Sequence, residues 1–303
     1  VLTAAVMTIE LALIASTMLT GERNPTLARD SMFSVVMIAL TGVTGLCNLL
    51  AAVRRGALCD DGKVDTSQMV GPNLLGALTY FDLISTMCVL ALVIPNFSRS
   101  TTEANFSTPV NVVLSVVALG VYAVFISAQM GRYSNLYTER KSLIIRDEVA
   151  LEAEAQALPL WKAATLLVAG LLVVCLIAES MGQLIETGIT DLGLPSSLAG
   201  VLVAMLILAP EALNAVQAAS QGEVQRSINT LYGSVVATVS LTVPAVLVLG
   251  VITNTDVILG LEPFEMVLLA LTLILSYPHP RLTGIEGLMK LVIFLFWILL
   301  QVA

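Results

Sequence analysis

Nine apolar runs, most of them long enough to cross a membrane, dominate this sequence of 303 residues. A transmembrane helix needs about 20 predominantly apolar residues to span the hydrocarbon core of a bilayer. The runs occupy residues 2–20, 32–53, 74–95, 110–130, 161–186, 197–219, 229–252, 262–277 and 286–302. The eighth run is short, and the first is expected to continue before Val1. The sequence therefore predicts an all-α integral membrane protein of about nine transmembrane helices.

The composition agrees with lipid as the main solvent. Only 12% of the residues are charged, whereas soluble domains average about 25% because water must wet their surface. The net charge of -8 argues against nucleic acid as a partner, since nucleic-acid binding requires a basic surface.

The longest polar stretch divides the chain into two halves. We expect a first repeat over 1–130, a linker over 131–160 and a second repeat over 161–303. Eleven of the 14 lysines and arginines fall on the linker side of the predicted topology. Because cytoplasmic loops are enriched in these residues, the linker is predicted to be cytoplasmic.

The two halves carry matching units in opposite orientation. Glu10 is followed 19 residues later by Arg29, and Glu211 is followed 15 residues later by Arg226. The loop charges place the two arginines on opposite sides of the membrane, which predicts inverted repeats with a substrate site near the midplane. The run at 161–186 has no counterpart in the first half.

Glu10 and Glu211 each stand within an apolar run. A lone carboxylate there is costly as an anion, so it binds a proton or a cation. Two such groups facing each other favour a metal ion or shared protons, and we interpret the pair as the ion site. The alternative is a protonated glutamate that makes structural hydrogen bonds.

Pro210 precedes Glu211 inside the same run. A proline within a helix frees a backbone carbonyl, and such an oxygen beside a carboxylate suits Ca²⁺. An ordinary transmembrane kink is the alternative.

Several hydroxyl and amide side chains on the same runs are candidates to complete the shell, although such residues also join transmembrane helices. They are Thr8, Ser34, Thr41, Asn214, Ser234 and Thr238. Glu179 lies in another run and is a candidate accessory site for a proton or cation.

Two segments resemble the signature repeats of a known family. The run APEALNAVQAASQGEVQRSINTLYGSVVATVSLTVPAVL at 209–247 resembles the second signature of the cation/proton exchangers (CAX) of the Ca²⁺/cation antiporter superfamily, particularly the bacterial ChaA type. The segments at 8–19 and 28–50 resemble the first signature.

The resemblance implies a plan of eleven helices, of which the first two are absent from this chain, with 161–186 opening the second set of five. It maps the family's central carboxylates onto Glu10 and Glu211, an acidic residue of that opening helix onto Glu179, and a Gly-Ser pair onto Gly233 and Ser234. The chain departs from the common GNxxEH signature, because Ala-Pro stands where Gly-Asn is usual and no histidine follows.

We therefore predict a secondary antiporter, not an enzyme, that exchanges Ca²⁺ for protons by alternating access. Glu10 and Glu211 would bind either the metal or protons, and no cofactor is implied beyond these transported ions. Exchange of Na⁺ or K⁺ for protons at the same site is the alternative. A channel would show single-channel currents, and a membrane-embedded enzyme would need a catalytic constellation at membrane depth.

The expected partners are calcium ions, protons and the lipid bilayer, and a homo-oligomer remains open. The bacterial ChaA type implies the inner (plasma) membrane.

The predicted topology can be tested by labelling. Single cysteines at Ser142, in the linker, and Ser196, in the loop 187–196, are introduced into a cysteine-free background. We expect an impermeant thiol reagent to label them from opposite sides of the membrane. Labelling of both from one side would contradict the inverted-repeat interpretation.

Overall fold

The structure is a computed structural model that describes residues 25–57, 71–98, 104–137, 197–253, 257–279 and 283–302, with isolated positions between 165 and 193. The described residues contain helices and no strand. The helices are α1 (Leu27–Met37), α2 (Thr44–Ala57), α3 (Leu74–Cys88), α4 (Thr108–Met130), α5 (Ser197–Gln221), α6 (Val224–Thr253), α7 (Pro263–Ser276) and α8 (Gly284–Val302).

Two of the helices pass through π-helical turns. The segment Ile38–Val43 joins α1 to α2, so that the three form one continuous span, Leu27–Arg54. The segment Val89–Val93 extends α3, followed by a 3₁₀ turn at Ile94–Phe97. Within the described part of the chain, six spans are long and apolar enough to cross a membrane, and α7 is a shorter apolar helix.

The predicted apolar runs agree with these helices to within about five residues at each end. The short eighth run corresponds to α7. The runs predicted at 2–20 and 161–186 fall on residues outside the described ranges or at isolated positions within them. The count of nine helices and the repeat boundaries at 130 and 161 therefore stay predictions.

The start of α7 shows why a short helix begins where it does. Glu262 is the N-cap, Pro263 occupies the first turn, and the carboxylate of Glu265 accepts a hydrogen bond from the Glu262 backbone N–H at 3.1 Å. This reciprocal capping box satisfies backbone donors that an apolar environment would otherwise leave unpaired.

Two basic residues that were counted among the loop charges are buried within helices. Arg29 is in the first turn of α1, 9% exposed, with its Nε 2.7 Å from Asp30 Oδ1 and its Nη1 3.0 Å from the Gly260 carbonyl oxygen. Lys290 lies in α8, 2% exposed, with its Nζ 3.0 Å from Glu286 Oε1. Each is paired with a carboxylate, and a paired charge tolerates burial that an isolated charge does not.

The continuous span of α1 and α2 runs parallel to α5. At one end, a Cβ added to Gly200 would lie within 3.0 Å of Asp30 and Ser31. At the other end, Arg54 Nη1 donates a hydrogen bond to the Ser220 carbonyl oxygen. Asp30 precedes Arg54 in the sequence, and Gly200 precedes Ser220. The α1–α2 span and α5 therefore run in the same direction.

The helices α4 and α8 each run antiparallel to a central helix. On α8, Gly284 lies against Ala52 and Phe294 lies against Gly42. On the other side α4 packs on α6. The residue that follows α4 and its 3₁₀ turn, Tyr137, accepts a hydrogen bond through its carbonyl oxygen from Asn229 Nδ2, near the start of α6, at 2.5 Å.

The helices α2 and α8 approach each other closely at two glycines. A Cβ added to Gly287 would lie 2.7 Å from the Gly45 carbonyl oxygen and 3.0 Å from the Leu49 backbone nitrogen. Only glycine therefore fits at this point of the α2–α8 contact. Small residues serve this role in membranes because association there depends on close van der Waals packing.

We expect Gly287→Ala to destabilise the protein by about 1–3 kcal/mol, because the new methyl group meets backbone atoms that cannot rotate away. Gly120→Ala is the matched control, since a Cβ there meets no atom within 4 Å. Both substitutions gain the same helix propensity. The difference between the thermal unfolding midpoints of the two purified variants therefore reports the steric cost at the α2–α8 contact. Equal midpoints would contradict this account of the α2–α8 contact.

Candidate functional site

Glu211 is a buried carboxyl group within a membrane-spanning helix. It lies in α5 and is 2% exposed. The hydroxyl of Ser234, on the neighbouring helix α6, donates a hydrogen bond to its Oε2. No lysine or arginine of the described residues forms an ion pair with it. Within the described part of the chain, the Ser234 hydroxyl is thus the polar group that contacts this buried carboxyl group.

Pro210 places a backbone irregularity one residue before this carboxylate. The helix α5 continues through Pro210, which lies on its exposed side. A proline has no N–H group, so the carbonyl oxygen of Leu206, four residues earlier, loses its usual helical donor. The role of such an oxygen as a ligand and the alternative of an ordinary kink both stay predictions.

The predicted polar residues divide into three groups. Ser34 and Thr238 are buried, at 2% and 1% exposure, and Thr238 lies one turn beyond Ser234 on the same face of α6. Thr41 is also buried, but its hydroxyl donates to the Met37 carbonyl oxygen at 2.5 Å. Thr8, Glu10 and Glu179 lie outside the described residues.

Asn214 was predicted to be an ion ligand, but in this structure its side chain is hydrogen-bonded to an arginine. Its side-chain oxygen accepts a hydrogen bond from Arg226 Nη2 at 3.0 Å. The same guanidinium forms an ion pair with Glu223, with its Nη1 2.9 Å from Oε2. Asn214 lies three residues after Glu211, so the arginine lies about one helical turn from the carboxylate on the side where α5 ends.

Gly233 brings an aromatic ring close to the site. A Cβ added to Gly233 would lie 3.7 Å from a ring carbon of Tyr80, which is an ordinary contact. The Tyr80 hydroxyl accepts a hydrogen bond from Gln129 Nε2 at 2.6 Å. Tyr80 therefore packs behind the Gly-Ser pair and ties α3 and α4 to the segment of α6 that contacts Glu211.

The π-helical segment Ile38–Val43 is a feature that sequence reasoning missed. Glu211 is 11 residues after Gly200, or about 16 Å along the axis at 1.5 Å per residue. Eleven residues after Asp30, which lies beside Gly200, the chain is within the segment Ile38–Val43. This segment packs against α5. Such turns leave carbonyl groups outside the regular bonding pattern and recur at functional sites.

Two threonines compensate for the irregular backbone of that segment. The Thr44 hydroxyl donates to the Ala39 carbonyl oxygen at 2.6 Å, and Thr41 bonds Met37 as described above. In the sequence, the two threonines three residues apart were the feature that could have indicated this segment. Threonine is common in transmembrane helices, so the pair is not specific.

The described residues supply a single carboxylate at this position. No group of three or more histidine, cysteine, aspartate or glutamate side chains that could hold a metal occurs within them. The geometry thus consists of one buried carboxylate, one hydroxyl bound to it and a proline-altered backbone. Any second carboxylate must come from residues outside the described ranges.

Comparison with known proteins gives consistent matches along the chain. The family model described as "Sodium/calcium exchanger protein" matches residues 1–131 and 162–303. The y4hA protein of Sinorhizobium fredii (strain NBRC 101917 / NGR234), whose name describes it as an ionic transporter, is 33% identical over 308 residues, covering 99% of this chain and 78% of the relative. The sodium-potassium/proton antiporter ChaA of Escherichia coli (strain K12) is 30% identical over 298 residues, covering 97% and 77%.

Solved structures share the fold. Native YfkE superposes with a TM-score of 0.66 at 16% identity, covering 99% of this chain and 87% of that one. A selenium-substituted crystal structure of YfkE, described as a Ca²⁺/H⁺ antiporter protein, gives a TM-score of 0.66 at 17% identity, covering 99% and 82%.

The hydrogen bond between Ser234 and Glu211 can be tested by its effect on stability. We expect Ser234→Ala to destabilise the purified protein by about 0.5–3 kcal/mol, the range for hydrogen bonds to neutral and to charged groups. Ser240→Ala is the matched control, because Ser240 lies on the same helix, is fully buried, and its hydroxyl has no hydrogen-bond partner. Equal unfolding midpoints for the two variants would show that the Ser234 bond does not stabilise the site.

Proposed function

The chain belongs to the sodium/calcium exchanger protein family, and we propose that it is a secondary antiporter that exchanges Ca²⁺ for protons at a site formed by Glu10 and Glu211. The family is one of membrane transporters. Its membership confirms the resemblance recognised from the two signature segments. The ion and the role of the two glutamates are the proposal.

The observation that carries the proposal is the isolation of Glu211. Its carboxyl group is buried in an apolar helix, has no ion-pair partner among the described residues, and is oriented by the Ser234 hydroxyl. A structural carboxylate at this depth would need a permanent partner to offset the cost of burial. A transport site needs the opposite, because its counter-charge must leave in every cycle.

With Glu10 as the second glutamate of the site, one cation and protons compete for the same carboxylate oxygen atoms. Two carboxylates carry two negative charges, which one Ca²⁺ or two protons neutralise. Since the same oxygen atoms bind both, the site holds either the metal or protons. Alternating access then exposes it to each side in turn and couples the two fluxes.

The packing of the helices supports inverted repeats. In the predicted plan, the α1–α2 span and α6 are corresponding helices, as are α4 and α8. The α1–α2 span runs parallel to α5, so it is antiparallel to α6, which follows α5 after a two-residue turn. Each terminal helix packs on the central helix of the other half, α4 on α6 and α8 on α2. We propose that the site lies between the halves, as in other transporters built from inverted repeats.

The remaining assignments extend the same proposal. The linker 131–160 is cytoplasmic, the membrane is the bacterial inner membrane, and Glu179 is an accessory proton or cation site. Thr8, Ser34, Asn214, Thr238 and the backbone before Pro210 are candidate ligands or neighbours of the ion. For Asn214 this requires that Arg226 releases its side-chain oxygen in another state of the cycle.

Exchange of Na⁺ or K⁺ for protons is the second candidate, and the name of the Escherichia coli relative favours it.

The decisive experiment uses everted membrane vesicles with a preset pH gradient. Ca²⁺, Na⁺ and K⁺ are added separately, and collapse of the gradient is followed. We expect Ca²⁺ to give the largest response, with a weaker apparent Ca²⁺ affinity at lower pH because protons compete for the same carboxylates. A response to Na⁺ or K⁺ alone would exclude Ca²⁺ as the cargo.

The glutamate pair is tested by substitution. We expect Glu10→Gln and Glu211→Gln each to abolish exchange, because an amide neither binds the cation as an anion nor releases a proton. Protein levels should survive, since a buried charge is replaced by a neutral group of the same shape. Asp191→Asn removes an exposed carboxylate and serves as the control. A folded Glu211→Gln protein that exchanges at the wild-type rate would refute the mechanism.

A further inference from the structure

A cavity of about 580 Å³ lies between α3 and α4, away from Glu211. Its walls are almost wholly apolar and include Leu75, Leu83, Val121, Val124, Phe125 and Ala128. We propose that this groove binds one acyl chain of an anionic phospholipid, whose head group lies at the end of α4 beside Arg132. The proposal is independent of which cation the protein transports.

The groove opens toward the bilayer and not toward the centre of the protein. Only 17% of the most apolar stretch of α4 is buried, the smallest fraction among the six spans. Val124, on the wall of the groove, is 71% exposed. A Cβ added to Gly120, also on the wall, would meet no atom within 4 Å. The missing side chain therefore leaves open space next to lipid.

Water is a poor occupant of this space. A bound water molecule needs about two to four polar partners, and apolar cavities stay dry and bind apolar ligands instead. The Tyr137 hydroxyl on the wall is already hydrogen-bonded to Thr79 Oγ1 at 2.8 Å. The acyl chains of the surrounding bilayer are the most concentrated apolar ligand available to a groove that faces them.

The residues at one end of the groove match a phospholipid head group. The helix α4 ends at Met130, and Arg132 and Tyr133 follow. Tyr133 lines the groove and is 57% exposed, and tyrosine is enriched where transmembrane helices meet the head groups. Arg132 is exposed and has no ion pair within the described residues. An arginine without a carboxylate partner favours a lipid with net negative charge.

Native mass spectrometry of the purified full chain tests the proposal, with palmitoyl-oleoyl phosphatidylglycerol and phosphatidylcholine as matched probes. The wild type should retain phosphatidylglycerol in preference to phosphatidylcholine. Gly120→Phe should abolish retention of both lipids, because the ring fills the groove. Arg132→Gln should keep binding but equalise the two lipids. Leu119→Phe is the control, since Leu119 is exposed on α4 but does not line the groove.

Three outcomes would overturn the proposal. One is a wild type that retains neither lipid, and another is a folded Gly120→Phe protein that retains them as Leu119→Phe does. Equal retention of the two lipids by the wild type would overturn the assignment of the anionic head group. If Gly120→Phe fails to fold, Ala128→Leu, which narrows the groove nearer to Arg132, is judged by the same criteria.

Discussion

The burial of one carboxyl group inside an apolar helix is the constraint around which the central helices of this protein are arranged. An ionised carboxylate without a partner is too costly to keep in a hydrocarbon environment. The protein provides Glu211 with a single neutral donor, Ser234, and with no fixed cation among the described residues. The proposed exchange of ions depends on this contact between α5 and α6, because it orients the carboxyl group.

Close helix contacts hold the described helices together. Gly200 admits the start of α1, and Gly45 and Gly287 let α2 and α8 approach through their backbones. The ion pairs of the described helices lie elsewhere, at Arg29 with Asp30, Arg226 with Glu223 and Lys290 with Glu286. Each arginine or lysine has its own acid within four residues of the chain. Local pairing of this kind offsets these three positive charges within their own helices or turns.

The helices were predictable because the apolar runs had the length that a bilayer demands, and the short α7 was recognised as short. The same analysis counted Arg29 and Lys290 among the loop charges, although both lie within helices. Both are buried next to a carboxylate that the sequence also contains, at Asp30 and Glu286. Hydropathy alone cannot distinguish a paired charge near a helix end from a charge in a loop. It also gave no sign of the π-helical segment Ile38–Val43, since its residues are ordinary helix residues.

The sequence by itself determined the class of the protein, its apolar spans and the position of Glu211 inside one of them, because the cost of placing charge and polar backbone in lipid depends on composition and order along the chain. The tertiary structure decided which residues meet. It joined Ser234 to Glu211 across 23 residues of sequence, directed the Asn214 side chain to Arg226, and set the α1–α2 span parallel to α5. These pairings depend on helix rotation and on contacts as close as that of Gly45 with Gly287. Such contacts follow from the packing of whole helices, and no local pattern of residues specifies them.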